Sequence, residues 1–219
     1  MAQKVSLAQT TAKTIAKKPP RLLIIAGATG TGKSTVAMKI GAKSGFARLI
    51  STDAIREVLR SADIDKTNLA LHRSSFSIGD SNDAVIDWID TCKAVEKGIE
   101  ATINRAMREG IDLLIEGVHI IPSDRLIRQW IDSGGIAVGV IMVVSDEEKH
   151  KSMIRAREAH SFRRHDRYLA NFARIRQIQN GLIERSKISS WPVVDVARVA
   201  SDLERVEHHL DVAWNQNRV

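Results

Sequence analysis

A single cysteine, Cys92, in 219 residues excludes an internal disulfide and a multi-cysteine zinc site, so this residue is expected simply to pack. No apolar run approaches the 18 residues of a membrane span, and the N-terminal residues lack the apolar segment of a signal peptide. Membrane insertion and secretion are therefore not expected, and the sequence reads as cytoplasmic. No guanine-selecting N-K-x-D sequence occurs, which argues against a GTPase switch. Acid is scarce in two intervals. Residues 1–20 carry Lys4, Lys13, Lys17 and Lys18 with no Asp or Glu, and residues 149–176 hold nine Lys or Arg against two Asp or Glu. That second interval alone matches the net charge of the whole chain, +7, so an anionic partner is expected close to it.

What is present centres on residues 22–42. The apolar run Leu22 to Ala26 meets a glycine-rich turn and then a helix-period pattern containing Val36 and Ile40. Gly27, Ala28, Thr29, Gly30, Thr31, Gly32, Lys33 and Ser34 fill the pattern G-x-x-x-x-G-K-[ST], and Thr35 follows. Glycines permit the backbone angles that turn successive N–H groups inward, and a helix N-terminus adds its own unpaired donors. A polyanion cradle for the phosphates of ATP is the expected product. Lys33 would reach the β- and γ-phosphates, and the Ser34 hydroxyl would ligate Mg²⁺.

The length suits one domain with a real core. Residues 1–20 read as a basic tail set off by Pro19-Pro20, and 21–219 as the domain. Ala47 to Ser51 reads as a second strand leading into a helix capped by Ser51 or Thr52. Asp53 and Arg56 share a face of that helix just past a strand end, where ligands of parallel sheets bind. Asp53 could orient or deprotonate an acceptor hydroxyl, and Arg56 could hold an acceptor anion. Residues 60–82 lack periodicity and are expected to form an acceptor-side lobe, with His72 and Arg73 as candidate substrate contacts. Asp83 to Glu109 has apolar residues at steps of three and four and should be one long helix, stopped by Gly110.

Ile111 to Ile115 reads as a third strand that delivers Glu116, Gly117, Val118 and His119 to its end. Glu116 could hold a Mg²⁺-coordinated water, and His119 could contact the acceptor; the alternative for either is a satisfied polar residue of a turn. Ile136 to Val144 is a buried fourth strand, Ser145 to Glu148 a capping box, Pro192 to Val196 a fifth strand and Ser201 to Trp214 a closing helix. Between them lie Arg155, Arg157, Arg163 and Arg164, then apolar residues at helical spacing from Tyr168 to Leu182. Clustered arginines need an anion, and phosphates on the glycine-rich loop supply one. The alternative is a nucleic-acid surface or a polynucleotide-end kinase, but the interval has few aromatics and no recognised nucleic-acid motif. The expected fold is α/β, a five-stranded parallel sheet flanked by helices.

Taken together, the P-loop, STDAIREVLR at 51–60, LLIEGVHIIP at 113–122, and Arg155, Arg157, Arg164, Tyr168, Phe172, Ile175-Arg176, Ile178-Gln179 and Trp191 to Val194 resemble the archaeal 2-phosphoglycerate kinases. The resemblance spans roughly residues 20–200. It implies a P-loop kinase related to the nucleoside monophosphate kinases, with an arginine-rich lid at about 155–168, using ATP and Mg²⁺. It also implies a small, already phosphorylated acid as acceptor. Typical members are longer, with an extra N-terminal domain, and a short relative, mevalonate 3-phosphate 5-kinase, resembles the same stretches. The acceptor is thus 2-phosphoglycerate or mevalonate 3-phosphate, and a homodimer is left open.

Overall fold

The computed structural model describes residues 18–156, 165–198 and 201–216. Five strands form one parallel sheet: β1 (Arg21–Gly27), β2 (Arg48–Ser51), β3 (Leu113–Gly117), β4 (Ile136–Val143) and β5 (Val193–Asp195), in the order β2-β3-β1-β4-β5. β1 is central and, after Arg21, runs apolar and buried from Leu22 to Ala26, as a strand covered on both faces must. Its residues alternate between two cores. Leu22, Ile24 and Ala26 pack with Trp88, Val95 and Ile103 of α4 (Ala84–Glu109) and with Ile175, Ile178 and Leu182 of α8 (Phe172–Ser189). Leu23 and Ile25 pack with Val36, Ala37 and Ile40 of α1 (Lys33–Ser44) and with Val206 of α9 (Asp202–Gln216).

Several boundaries differ from the sequence expectation for local reasons. The third strand starts at Leu113, because Gly110 takes a left-handed conformation and the N–H of Ile111 still caps α4 at Ala106. Glu116 and Gly117 consequently belong to β3, Glu116 registering with Ile25 on one side and Ser51 on the other. The expected single helix after the basic interval is two, α7 (His165–Ala170) and α8, broken at Asn171, whose side chain bonds the Arg167 carbonyl. α6 (Glu147–Ala156) is capped by Asp146 accepting from the Lys149 N–H, not by a Ser145 box; the Ser145 N–H goes to Asp195. α5 (Asp124–Asp132), with Leu126 and Trp130 buried, and α3 (Leu69–His72) were not foreseen. α2 (Thr52–Ala62) begins as expected, Ser51 Oγ accepting from the Ala54 N–H.

Cys92 packs in the α4 core, where burial pushes its thiol pKa well up. The Pro20 carbonyl accepts from Ile136 N–H and Trp130 Nε1, so the domain's bonding starts before Arg21. Residues 1–17 of the basic tail lie outside the described residues. Among those described, no helix is long and apolar enough to cross a membrane.

Candidate active site

The turn from β1 to α1 places Gly27 to Thr35 at the C-terminal end of the sheet, where parallel α/β folds bind ligands. Gly30 and Gly32 have φ of 86° and 82°, the left-handed region that glycine enters without steric cost. α1 has no side-chain cap at Gly32, so the donors of its first turn are left for an anion. The Lys33 ammonium is buried and donates to the Ala28 carbonyl at 2.8 Å, so it sits inside the loop. Gly30, Gly32, Lys33, Ser34 and Thr35 line a cavity of about 640 Å³ together with Met38, Met153 and Ala156. Left-handed glycines, an uncapped helix start and an enclosed lysine together fit the triphosphate of a nucleotide.

Ser34 Oγ donates to Glu116 Oε1 at 3.1 Å, and Glu116 is only 6% exposed. A hydroxyl beside a carboxylate fits Mg²⁺, which takes few protein ligands and keeps its waters. No cluster of three or more His, Cys, Asp or Glu side chains that could hold a metal ion occurs among the described residues.

A second cavity, about 430 Å³, borders the same loop at Thr29. Thr29 lines it, together with Asp53, Arg56 and Glu57 of α2, Ser74, Ser75 and Phe76 of the following loop, His119 after β3, and Tyr168 of α7. β3 reaches α2 so closely here that a Cβ at Gly117 would lie 1.8 Å from Thr52 Oγ1. Glycine at that position is what lets His119 Nδ1 come within 3.3 Å of Thr52 Oγ1 and 3.5 Å of Asp53 Oδ1. Burial lowers the His119 pKa to about 4, Arg56 and Lys33 acting in the same direction and Asp53 against them. The imidazole is therefore neutral near pH 7, beside a carboxylate that is half exposed. Arg56 is held by the Arg73 carbonyl at 2.7 Å, its Nε is buried without a partner, and burial lowers its pKa. A half-buried guanidinium in that condition suits an anion.

Sequence reasoning brought Lys33, Ser34, Asp53, Arg56, Glu116 and His119 together, and the fold does place them around one loop. His72 and Arg73 stand elsewhere. His72 bonds Asp63, whose carboxyl also accepts from Asn68 and Thr67 and is held at a pKa of about 2. Arg73 donates to the Asp87 carbonyl and lies 3.7 Å from Asp90. Neither is among the residues lining the acceptor-side cavity. Arg155 is exposed in the last turn of α6, while Arg157, Arg163 and Arg164 lie outside the described residues.

The cavity-wall residues Ser74, Ser75 and Phe76 fall within the stretch expected on the acceptor side but were not among the candidate site residues, and neither was Tyr168, whose ring meets that of Phe76 at a tilt of 55° with centroids 5.2 Å apart. Arg167 also reaches this wall, donating to Ser74 Oγ at 2.8 Å. The loop carrying these residues is fixed by Asp87, buried in α4, which accepts from Gly79 N–H, Ser81 and Arg174. Arg174 in turn donates to the carbonyls of Phe76, Ser77 and Asn82. The only signal for this clamp was an Asp on the polar side of a long apolar helix.

The chain is similar in sequence and fold to known kinases. The 2-phosphoglycerate kinase of Methanopyrus kandleri is 32% identical over 203 residues, covering 89% of this chain and 62% of that protein. That of Methanothermobacter thermautotrophicus is 30% identical over 200 residues, covering 86% of this chain and 65% of that protein. The chain thus spans a little under two thirds of the length of these curated relatives. In fold it is similar to a putative kinase from Chloroflexus aurantiacus, with a TM-score of 0.52 and 17% identity over 89% of this chain and 98% of that one. The model of the AAA domain family AAA_33 matches residues 22–181, nearly the whole sheet and both cavities. This chain, with its β1–loop–α1 cradle, therefore belongs to the AAA_33 family of P-loop domains.

Proposed function

We propose that the chain is an ATP-dependent phosphotransferase acting on a small, already phosphorylated acid, with 2-phosphoglycerate and mevalonate 3-phosphate as the candidate acceptors. The observation that supports it most is that two cavities border one glycine-rich loop, Thr29 walling one and Gly30, Gly32, Lys33, Ser34 and Thr35 the other. In-line phosphoryl transfer needs a donor and an acceptor held on opposite sides of a common point. The relatives' name, 2-phosphoglycerate kinase, points to the same class of acceptor.

Bound ATP with Mg²⁺ would supply the phosphoryl group and neutralise its charge. Lys33 and the N–H groups of the loop would hold the phosphates, Ser34 would ligate the metal, and Glu116 would hold one of its waters. Asp53 takes the proton of the acceptor hydroxyl, and His119, neutral and buried beside it, orients that carboxylate and contacts the acceptor. Arg56 grips the phosphate or carboxylate the acceptor already carries. Arg155, Arg157, Arg163 and Arg164 act as a lid that adds charge and excludes water. The chain works in the cytoplasm on this reading, with a small anion as partner; a homodimer is compatible with it.

ADP release with ATP, Mg²⁺ and each of the two acceptors, assayed side by side, tests the reading. Turnover with one acceptor well above the ATPase background is expected. A nucleic-acid role would instead give oligonucleotide binding that falls steeply with salt and no acceptor turnover.

A further inference from the structure

α6 lies against the phosphate loop along one face. His150, Met153 and Ile154 follow the helix spacing i, i+3, i+4 and so point the same way. His150 Nε2 is 2.8 Å from the Thr29 carbonyl oxygen. A Cβ on Gly30 would lie 2.5 Å from Ile154 Cγ1, and one on Gly32 would lie 3.4 Å from Met153 Cε. Thr29, Gly30 and Gly32 of the loop are thus covered by one turn of helix. The same helix carries Arg155 and leads into residues 157–164.

The imidazole's protonation follows from its partner. A carbonyl only accepts, so Nε2 carries the hydrogen and Nδ1 holds a lone pair. Nδ1 is buried without a partner, and the ring meets Phe172 edge-on at 5.3 Å. Burying an unpartnered polar atom costs stability, and a phenylalanine or methionine would fill this space without that cost. What histidine adds is one rigid N–H at a fixed reach.

We propose that His150 is a positioning residue for phosphate binding, aiming the Gly30 N–H into the cradle by holding the Thr29 carbonyl on the opposite side. The step is geometric. In a trans peptide the C=O of one residue and the N–H of the next are coplanar and point in opposite directions, so fixing Thr29 O towards α6 fixes Gly30 N–H away from it. The φ of 86° at Gly30 leaves that peptide free to turn over at little steric cost, so the orientation needs an external restraint. His150 supplies it from the helix that leads into the arginine-rich interval. The inference rests on the reading of this loop as a phosphate cradle.

Calorimetric binding of ADP, a non-hydrolysable ATP analogue and adenosine tests it without knowledge of the acceptor. In His150→Phe, which fills the volume but cannot donate, affinity for ADP and the ATP analogue should fall about tenfold, the loss expected for one misdirected donor. Adenosine, which has no phosphate, should bind as it does to the unaltered protein. His150→Gln, which keeps an N–H donor, should recover most of the lost affinity, and in turnover the effect should fall on KM for ATP more than on kcat. Should His150→Phe not fold, His150→Met replaces it in the same comparison. Unchanged ADP affinity in the non-donor variant, or an equal loss in both variants tracking a lower melting temperature, would overturn the proposal. An unaltered protein that bound no nucleotide would instead overturn the phosphate-cradle reading itself, and this inference with it.

Discussion

The Ser34 hydroxyl, at the start of α1, donates to the Glu116 carboxylate at the end of β3 across 3.1 Å. The bond joins the first turn of α1 to the C-terminal end of β3 at the place proposed for Mg²⁺. Glu116→Gln keeps the shape but weakens the hold on a metal-bound water, an outer-shell change of a kind that costs 10- to 100-fold in affinity or activity. A Mg²⁺ titration of turnover should show the half-saturating concentration rising by about that factor. An unaltered titration curve would remove Glu116 from the metal site.

Asp53 stands 3.5 Å from a buried, neutral His119 and lines the acceptor-side cavity. Asp53→Asn should lower kcat by roughly 10²- to 10⁴-fold, the range for a lost general base, with nucleotide affinity nearly unchanged. Separate measurement of kcat and of ADP binding checks this. A defect confined to KM for ATP would contradict the assigned role.

Much of this was legible because it is local. The strand, loop and helix of residues 21–44 are contiguous, and the glycines, Lys33 and Ser34 declare their chemistry by spacing alone. The position of Glu116 and His119 at the end of β3 and just after it could be read because an apolar strand leads into them. What could not be read depends on long-range pairing. His72 and Arg73 looked like ligand donors, yet they serve the loop's own bonding to Asp63 and Asp87. Their neighbours Ser74 to Phe76 are the ones that face the cavity. Tyr168 read as part of an apolar stripe, and only the break at Asn171 frees α7 to turn it onto Phe76. The His150 contact with Thr29 spans 121 positions and leaves no periodic trace. α5 is short and offered only Leu126 and Trp130 as buried positions.

The clamp between Arg174 and Asp87 holds the loop that walls the acceptor side. Arg174→Ala leaves the buried Asp87 carboxylate without its cation, a change that destabilises by about 3–5 kcal/mol where one partner of a buried pair is removed. Chemical denaturation should show this loss, together with a raised acceptor KM as the loop loosens. An unfolding midpoint equal to that of the unaltered protein would show that the clamp contributes nothing.

Burial of His119 gives a pH dependence with a definite sign. Its pKa in the folded protein is about 4, below the ordinary histidine value near 6.5, so between these limits the unfolded chain binds more protons. Stability from this group is complete above about pH 6.5 and is lost as pH falls towards 4. Lys33, Arg56 and Asp53 face the ring, and His150, also lowered by burial, titrates in the same direction. Thermal melting should therefore fall over this window, and less steeply in His119→Asn. Parallel curves would mean that the ring is not buried neutral.

Phosphoryl transfer from ATP to 2-phosphoglycerate or mevalonate 3-phosphate, compared between the unaltered protein, Lys33→Ala and Arg164→Ala at two salt concentrations, bears on every assignment above. The expected result is acceptor-dependent ADP release in the unaltered protein. Turnover should be lost in Lys33→Ala, while kcat should drop by roughly a hundredfold in Arg164→Ala, the scale of one donor to transition-state charge. Near-normal turnover in Lys33→Ala, or no acceptor turnover alongside salt-sensitive oligonucleotide binding that Arg164→Ala weakens, would contradict the assignment as a small-molecule kinase.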